Sequence, residues 1–257
     1  MDFFAGQEES LLSPQRLAWN APVPGAILAP FIQSWGWAGK TAFTAPMRAC
    51  GMKIGKRIKS PHPTLQLQEI HGKRGPILLA LCPMGAPSAA FALELLIVGG
   101  VRRILFFGFC GALRADVKLG SLVLPQKAFR EEGTSYHYAE PGIPALPSPE
   151  FYEETHKALV SSRTPFHTGP IWTTDAPFRE TSTKIQHFKD AGALAVEMEV
   201  SALLTVAAFR KVSLCAMLAV TDTFMHDHWS GFKALEGLKG WTKMCRSGAL
   251  SVLSSNP

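Results

Sequence analysis

The chain of 257 residues has few cysteines and none of them paired in sequence. Cys50, Cys82, Cys110, Cys215 and Cys245 are odd in number and widely spaced, with no CxxC pair. A disulfide scaffold or a structural zinc site needs close or paired thiols, so neither organises this chain. Free, buried thiols fit a reducing, cytoplasmic setting. The first ten residues, MDFFAGQEES, lack the positive charge of a secretory leader. An unbroken membrane-length apolar run is also missing. Residues 75–93 are uncharged over 19 positions, but Pro83, Gly85 and Pro87 interrupt them. They read as a buried strand, a turn and a helix start, so no membrane partner is expected. Acidic residues are scarce in one place. Between Lys40 and Arg74 eight basic residues meet a single acid, Glu69, giving +7, while the rest of the chain carries −1. The net charge of +6 is therefore one local segment. Its only aromatic residue is Phe43 and it holds no nucleic-acid-binding motif, so it reads as a solvated basic face.

Core material is plentiful. With 47% hydrophobic residues the chain can fill one sizeable core, and neither an internal repeat nor a linker divides it. Residues 1–64 carry seven prolines and read as an irregular segment packed on the same domain, with 25–30 as its one convincing strand. Residues 65–257 form the domain proper. Strands are expected over 64–70, 77–82, 103–109, 119–125, 166–172, 194–196 and 212–220. Helices are expected over 87–98, 151–161, 180–190, 199–209 and 231–253. Residues 110–112 read as a small-residue turn and 130–149 as a long loop. Strands alternating with helices predict an α/β fold, a three-layer α/β/α sandwich with a mostly parallel central mixed sheet.

In such sheets ligands bind at the carboxyl ends of strands. Four strand ends carry suggestive residues. Met84-Gly-Ala-Pro-Ser88 is a tight turn before a helix and can present amides to an anion, although such turns also simply connect. Gly108-Phe-Cys-Gly-Ala112 allows close backbone approach by a ligand or close packing. Ala195-Val-Glu-Met-Glu199 puts two carboxylates where an apolar strand meets a helix, for chemistry or for capping. Val220-Thr-Asp-Thr223 sets an aspartate after a buried strand. His226, Asp227 and His228 lack a fourth metal ligand nearby in sequence, so no metal is expected. Trp35 and Trp37 read as packing or a subunit contact.

Taken together, residues 75 to about 232 resemble the nucleoside phosphorylase family that includes purine nucleoside phosphorylase, uridine phosphorylase and the methylthioadenosine nucleosidases. The resemblance rests on Met84-Gly-Ala-Pro-Ser88, Gly108-Phe-Cys-Gly-Ala-Leu113, Arg130-Glu-Glu-Gly-Thr-Ser-Tyr-His-Tyr138, Trp172-Thr-Thr-Asp175, Ala195-Val-Glu-Met-Glu199 and Thr221-Asp222, in family order. It implies cleavage of the N-glycosidic bond of a nucleoside, with no cofactor and with phosphate as co-substrate. It further implies that Glu199 and Met198 hold the ribose, supported by Glu197, and that Asp222 protonates or hydrogen-bonds the leaving base. Cys110, Gly111, Phe178 and Arg179 would border the base, and His137 would lie in a loop beside the site. A homo-oligomer, dimer or hexamer, is implied as well.

The chain departs from the family where phosphate is held. The turn after the first strand reads Leu28-Ala-Pro-Phe31, the arginine position is Phe106 and the hydroxyl position is Phe109. Phenylalanine cannot replace a charge-assisted hydrogen bond to a dianion. The carboxylate with which hydrolytic relatives position water is missing too, Gln33 being the nearest polar residue. Three readings follow: phosphorolysis with phosphate held by Gly85 and basic residues such as Arg48, Lys53 or Arg57, hydrolysis with water held otherwise, or nucleoside binding without turnover.

Overall fold

A computed structural model describes residues 14–17, 19–30, 40–72, 75–225 and 228–254. In chain order the elements are β1 (Gly25–Pro30), α1 (Lys40–Ala49), β2 (Lys53–Ile58), β3 (Gln66–Gly72), β4 (Gly75–Cys82), α2 (Ala86–Val98), β5 (Arg103–Ala112) and β6 (Leu122–Glu131). There follow α3 (Pro149–Ser161), β7 (Phe166–Thr174), α4 (Ser182–Asp190), β8 (Ala195–Glu197), α5 (Val200–Arg210), β9 (Ser213–Met225), β10 (His228–Trp229) and α6 (Ala234–Arg246). One sheet links all the strands in the order β10-β9-β6-β7-β8-β5-β1-β4-β3-β2.

The continuous apolar runs β1, β4, β5 and β9 form its parallel heart, β1 lying between β4 and β5 and β5 beside β9. Strands buried on both faces need apolar residues throughout, which is why these segments do not alternate in polarity. They divide by parity instead. Ala26, Leu28, Leu78, Ala80, Ile104, Phe106, Leu214, Ala216 and Leu218 face a layer completed by Leu93 and Leu96 of α2 and Leu203 and Val206 of α5. Ile27, Ala29, Leu79, Leu81, Leu105, Phe107, Cys215 and Met217 face a second layer with Phe151 of α3 and Trp241 and Met244 of α6. The sheet thus sits between two helical layers, as expected. Burying each large aliphatic chain is worth roughly 1.5–3 kcal/mol, so these two seams carry the fold.

One half of the sheet closes on itself. β5 pairs with β9 along its length, while its last residues, Gly111 and Ala112, pair with β8. Since β9 also pairs with β6, β6 with β7 and β7 with β8, the five strands form a ring.

Four expectations are corrected. The segment before residue 65 is not irregular apart from one strand, because it supplies α1, which accommodates Pro46 within it, and β2 at the sheet's margin. Cys110, Gly111 and Ala112 belong to β5, and their small side chains admit its neighbours and do not turn the chain. The strand expected over 212–220 runs on to Met225, so Asp222 lies inside it. The loop expected from 130 begins only after β6 ends at Glu131, and a 3-10 turn occupies Thr134–His137. Among the described residues no helix is long and apolar enough to cross a membrane.

Candidate active site

The chemistry-bearing side chains gather where the ring of strands ends. Gly111 is the hinge of the arrangement. Its register partners are Val196 on β8 and, just past a β-bulge, Asp222 on β9. The end of one strand therefore brings the carboxylates after Val196 and the carboxylate of Asp222 to the same margin.

Glu197 ends β8 in full burial. One of its oxygens accepts the Thr173 hydroxyl, and the other accepts the amides of Glu199 at 2.7 Å and Val200 at 2.8 Å. It caps α5, satisfying amides that the first helical turn leaves without partners. Glu199 is also buried, and its Oε1 accepts the Gly85 amide at 2.6 Å. Gly85 holds φ at 102°, a conformation that favours glycine, and starts α2. Burial pushes both carboxyls upward; Glu199 raises Glu197 further while Thr173 and the two amides oppose it, and the Gly85 amide opposes the rise at Glu199. Met198, between them, is half-buried.

Asp222 is held at both oxygens. The Thr221 hydroxyl donates to Oδ1 and the Trp229 indole N–H to Oδ2, each at 2.8 Å. A Cβ on Gly111 would stand 2.7 Å from Oδ2 and 2.7 Å from the Phe224 ring, so glycine is what lets the carboxylate lie there. Glu180, just past a 3-10 turn over Pro177–Arg179, is pushed up to about 8 by burial, with the charges of Asp222 and Glu131 adding. Burial also works upward on Glu131, but hydrogen bonds from Lys184, Thr174 and Trp172 prevail and hold it below the usual carboxylate range.

The loop after β6 is tied to the same end. Arg130 donates to Ser135 and to the carbonyls of Ala139, Glu140 and Ile143. Glu132 joins the Ser135 amide to the Ser201 hydroxyl on α5, and Asp175 accepts the Gly133 amide at 2.8 Å. His137 is exposed on this loop.

The residues expected around the base differ in their exposure. Cys110 is buried in the core with its thiol directed at the Ala219 carbonyl, and burial, with Asp222 and Glu197 adding, pushes it well above its ordinary value. Phe178 is 98% exposed and Arg179 is exposed. Phe106 is fully buried in the α2–α5 layer, its ring lying where a Cβ on Gly108 would come within 2.6 Å. Phe109 packs edge-on against Phe107 and Phe232 and fills the space left by Gly237. The basic residues Lys53, Lys56, Arg57 and Lys59 are exposed on or just beyond β2, separated from β5 by β1, β4 and β3. Arg48 is exposed at the end of α1. The Gly85 amide, expected to meet phosphate, is occupied by Glu199. Gln33, Trp35, Trp37, His226 and Asp227 lie outside the described residues. Among the described residues no three His, Cys, Asp or Glu side chains gather as metal ligands.

Two further residues interact with Asp222, and neither is signalled by a motif. Trp229 lies beyond the strand end and reaches Asp222 only through the pairing of β10 with β9. Glu180 directly follows the expected base-contacting pair Phe178 and Arg179, and that adjacency was its one signal.

The model of the phosphorylase superfamily matches residues 55–236. Guanosine phosphorylase of Halorubrum lacusprofundi is 34% identical over 155 residues, covering 60% of this chain and 64% of that protein. The chain thus spans a little under two thirds of that relative's length. Purine nucleoside phosphorylase from Toxoplasma gondii in complex with immucillin-H superposes with a TM-score of 0.74 at 18% identity, over 96% of this chain and 98% of the other. Uridine phosphorylase from Vibrio fischeri superposes at 0.70 with 19% identity, over 94% and 93%. These likenesses confirm the expected fold, and the family match extends over most of the described chain. The chain belongs to the phosphorylase superfamily.

Proposed function

We propose that the protein is a nucleoside phosphorylase that cleaves the N-glycosidic bond of a purine nucleoside. The observation that carries this reading is that β5 pairs near its end both with β8, which leads into Glu199, and with β9 at Asp222, each carboxyl being fixed by hydrogen bonds from a different part of the chain. In the reaction the ribosyl carbon gains positive character while the glycosidic electron pair leaves with the base. Glu199 accepts hydrogen bonds from the ribose hydroxyls and places negative charge near that cation, with Met198 against the sugar. Asp222 gives a proton to a nitrogen of the departing base. Glu197 acts through α5, holding Glu199 in place. A 6-oxopurine is favoured by the relative named guanosine phosphorylase.

Phosphate is the proposed nucleophile. Within one chain the two phenylalanines leave it no charge-assisted donor at the usual positions, and the basic strand β2 lies at a distance. The proposal therefore includes a homo-oligomer in which Arg48 and neighbouring bases serve another copy's site. A second reading, hydrolysis, is favoured by the burial of Phe106 at the arginine position. Incubation with a purine and pyrimidine nucleoside panel, with and without phosphate, decides between them. Free base only with phosphate supports phosphorolysis, free base in both conditions supports hydrolysis, and no base in either overturns both.

A further inference from the structure

Trp229 has an unusual position for a large aromatic. The residue is 53% exposed, yet its side chain's single hydrogen-bonding group points inward onto Asp222 Oδ2 at 2.8 Å. Packing alone does not account for a half-exposed indole aimed in this way. The returning chain is pinned beside β9 at three levels: Trp229 pairs with Phe224, Ser230 exchanges hydrogen bonds with Thr223 in both directions, and the Lys233 amide donates to the Thr221 carbonyl. These bonds hold the indole over Asp222.

Resting on the reading of Asp222 as the proton donor to the base, we propose that Trp229 is the positioning residue that aims Asp222 and stabilises the carboxylate formed as the proton leaves. The two donors on Asp222 differ in kind. The Thr221 hydroxyl can turn, since it also lies 3.4 Å from the Cys110 carbonyl oxygen, and it can accept as well as donate. An indole N–H can only donate. Oδ2 is therefore kept as an acceptor toward Trp229 whichever form Asp222 takes. When the glycosidic bond breaks, its electron pair goes to the base, the base nitrogen takes the Asp222 proton, and negative charge appears on the carboxyl group. Hydrogen bonds to a charged group are stronger than those to its neutral form, so the indole bond gains strength along the reaction and lowers the barrier.

The test compares guanosine with 7-methylguanosine, whose base is already cationic and departs neutral without receiving a proton. Trp229→Phe keeps a ring and removes only the N–H. The expected result is a ten- to thirtyfold loss of kcat on guanosine with a change under twofold on 7-methylguanosine, whose retained rate also shows that the variant is folded. Ser230→Ala, which loosens the returning strand without touching Asp222, is expected to show the same split at smaller size. Asp222→Asn provides the reference and is expected to show the split most strongly. Unchanged guanosine turnover in Trp229→Phe, alongside a split in Asp222→Asn, overturns the role of Trp229 alone. Equal losses on both substrates in both Trp229→Phe and Ser230→Ala reduce the indole to a structural part and overturn it as well. Absence of a split in Asp222→Asn overturns the reading of Asp222, and the inference falls with it.

Discussion

The Glu199 carboxylate accepts the Gly85 amide at 2.6 Å, joining the start of α5 to the start of α2 across 114 residues of sequence. Two helix N-termini and a buried acid thus form one unit. Replacing Glu199 by Gln keeps an oxygen for Gly85 and removes the charge facing the proposed ribosyl cation. Turnover is expected to fall about a hundredfold or more, as when other preorganised electrostatic groups are removed. Stability should move the other way. The folded protein holds the Glu199 proton more tightly than the unfolded chain, so wild-type stability declines as pH rises from the ordinary carboxylate range toward the raised folded value, and levels off above it. Thermal midpoints at pH 5 and pH 8 should show Glu199→Gln gaining on wild type by a few degrees at the higher pH. A gap of the opposite sign counts against the burial cost.

Glu197 differs from its neighbour although both sit in one short motif. Its two oxygens serve the Thr173 hydroxyl and two helix amides, so Glu197→Ala leaves three buried donors without an acceptor. A destabilisation of about 2–4 kcal/mol is expected in denaturant titration. Glu197→Gln retains one acceptor oxygen and should lose less. Equal stability of the two variants would show that the cap is not what Glu197 contributes.

Gly111→Ala tests the close approach at the strand end. The added methyl meets Asp222 Oδ2 and the Phe224 ring, both at 2.7 Å, inside a ladder with partners on both sides. Overpacking of this kind costs about 1–3 kcal/mol and here also displaces the carboxylate. Activity should drop by at least tenfold while the fold survives, as judged by circular dichroism at 25 °C.

These cases show how far the sequence could be read. The motifs naming Glu197, Glu199 and Asp222 were local, and short motifs at strand ends survive any uncertainty about what surrounds them. The parity of a buried strand was not local. Phe106 could be seen as a replaced arginine, but only the pairing of β5 with β1 and β9 shows that its ring fills the α2–α5 layer. Helix α1 was obscured by Pro46, and β2 by the charges that suit an open edge. Trp229 depended on a hairpin return that no residue spacing announced.

Phe106→Arg follows from that burial. Restoring the arginine of the family pattern would place a guanidinium in the apolar α2–α5 layer that the Phe106 ring fills. We expect loss of about 3–5 kcal/mol or failure to fold, and no gain in phosphate-dependent turnover. A folded variant whose phosphate KM falls would show that the position still faces the nucleophile.

Glu180 sets the last expectation. Burial, with the charges of Asp222 and Glu131 adding, pushes it up to about 8. Below that pH the group is neutral and adds no charge near Asp222; as pH rises through about 8 it becomes negatively charged there. In the proposed substrate complex, where Asp222 carries the proton it gives to the base, a negative neighbour opposes the charge that develops on Asp222, so kcat for a purine nucleoside should decline above about pH 8. Glu180→Gln keeps the size and removes the ionisation, and its activity should persist to higher pH than that of wild type. The comparison needs a full pH–kcat profile for both proteins. Superimposable alkaline limbs would show that Glu180 ionises without effect on the reaction.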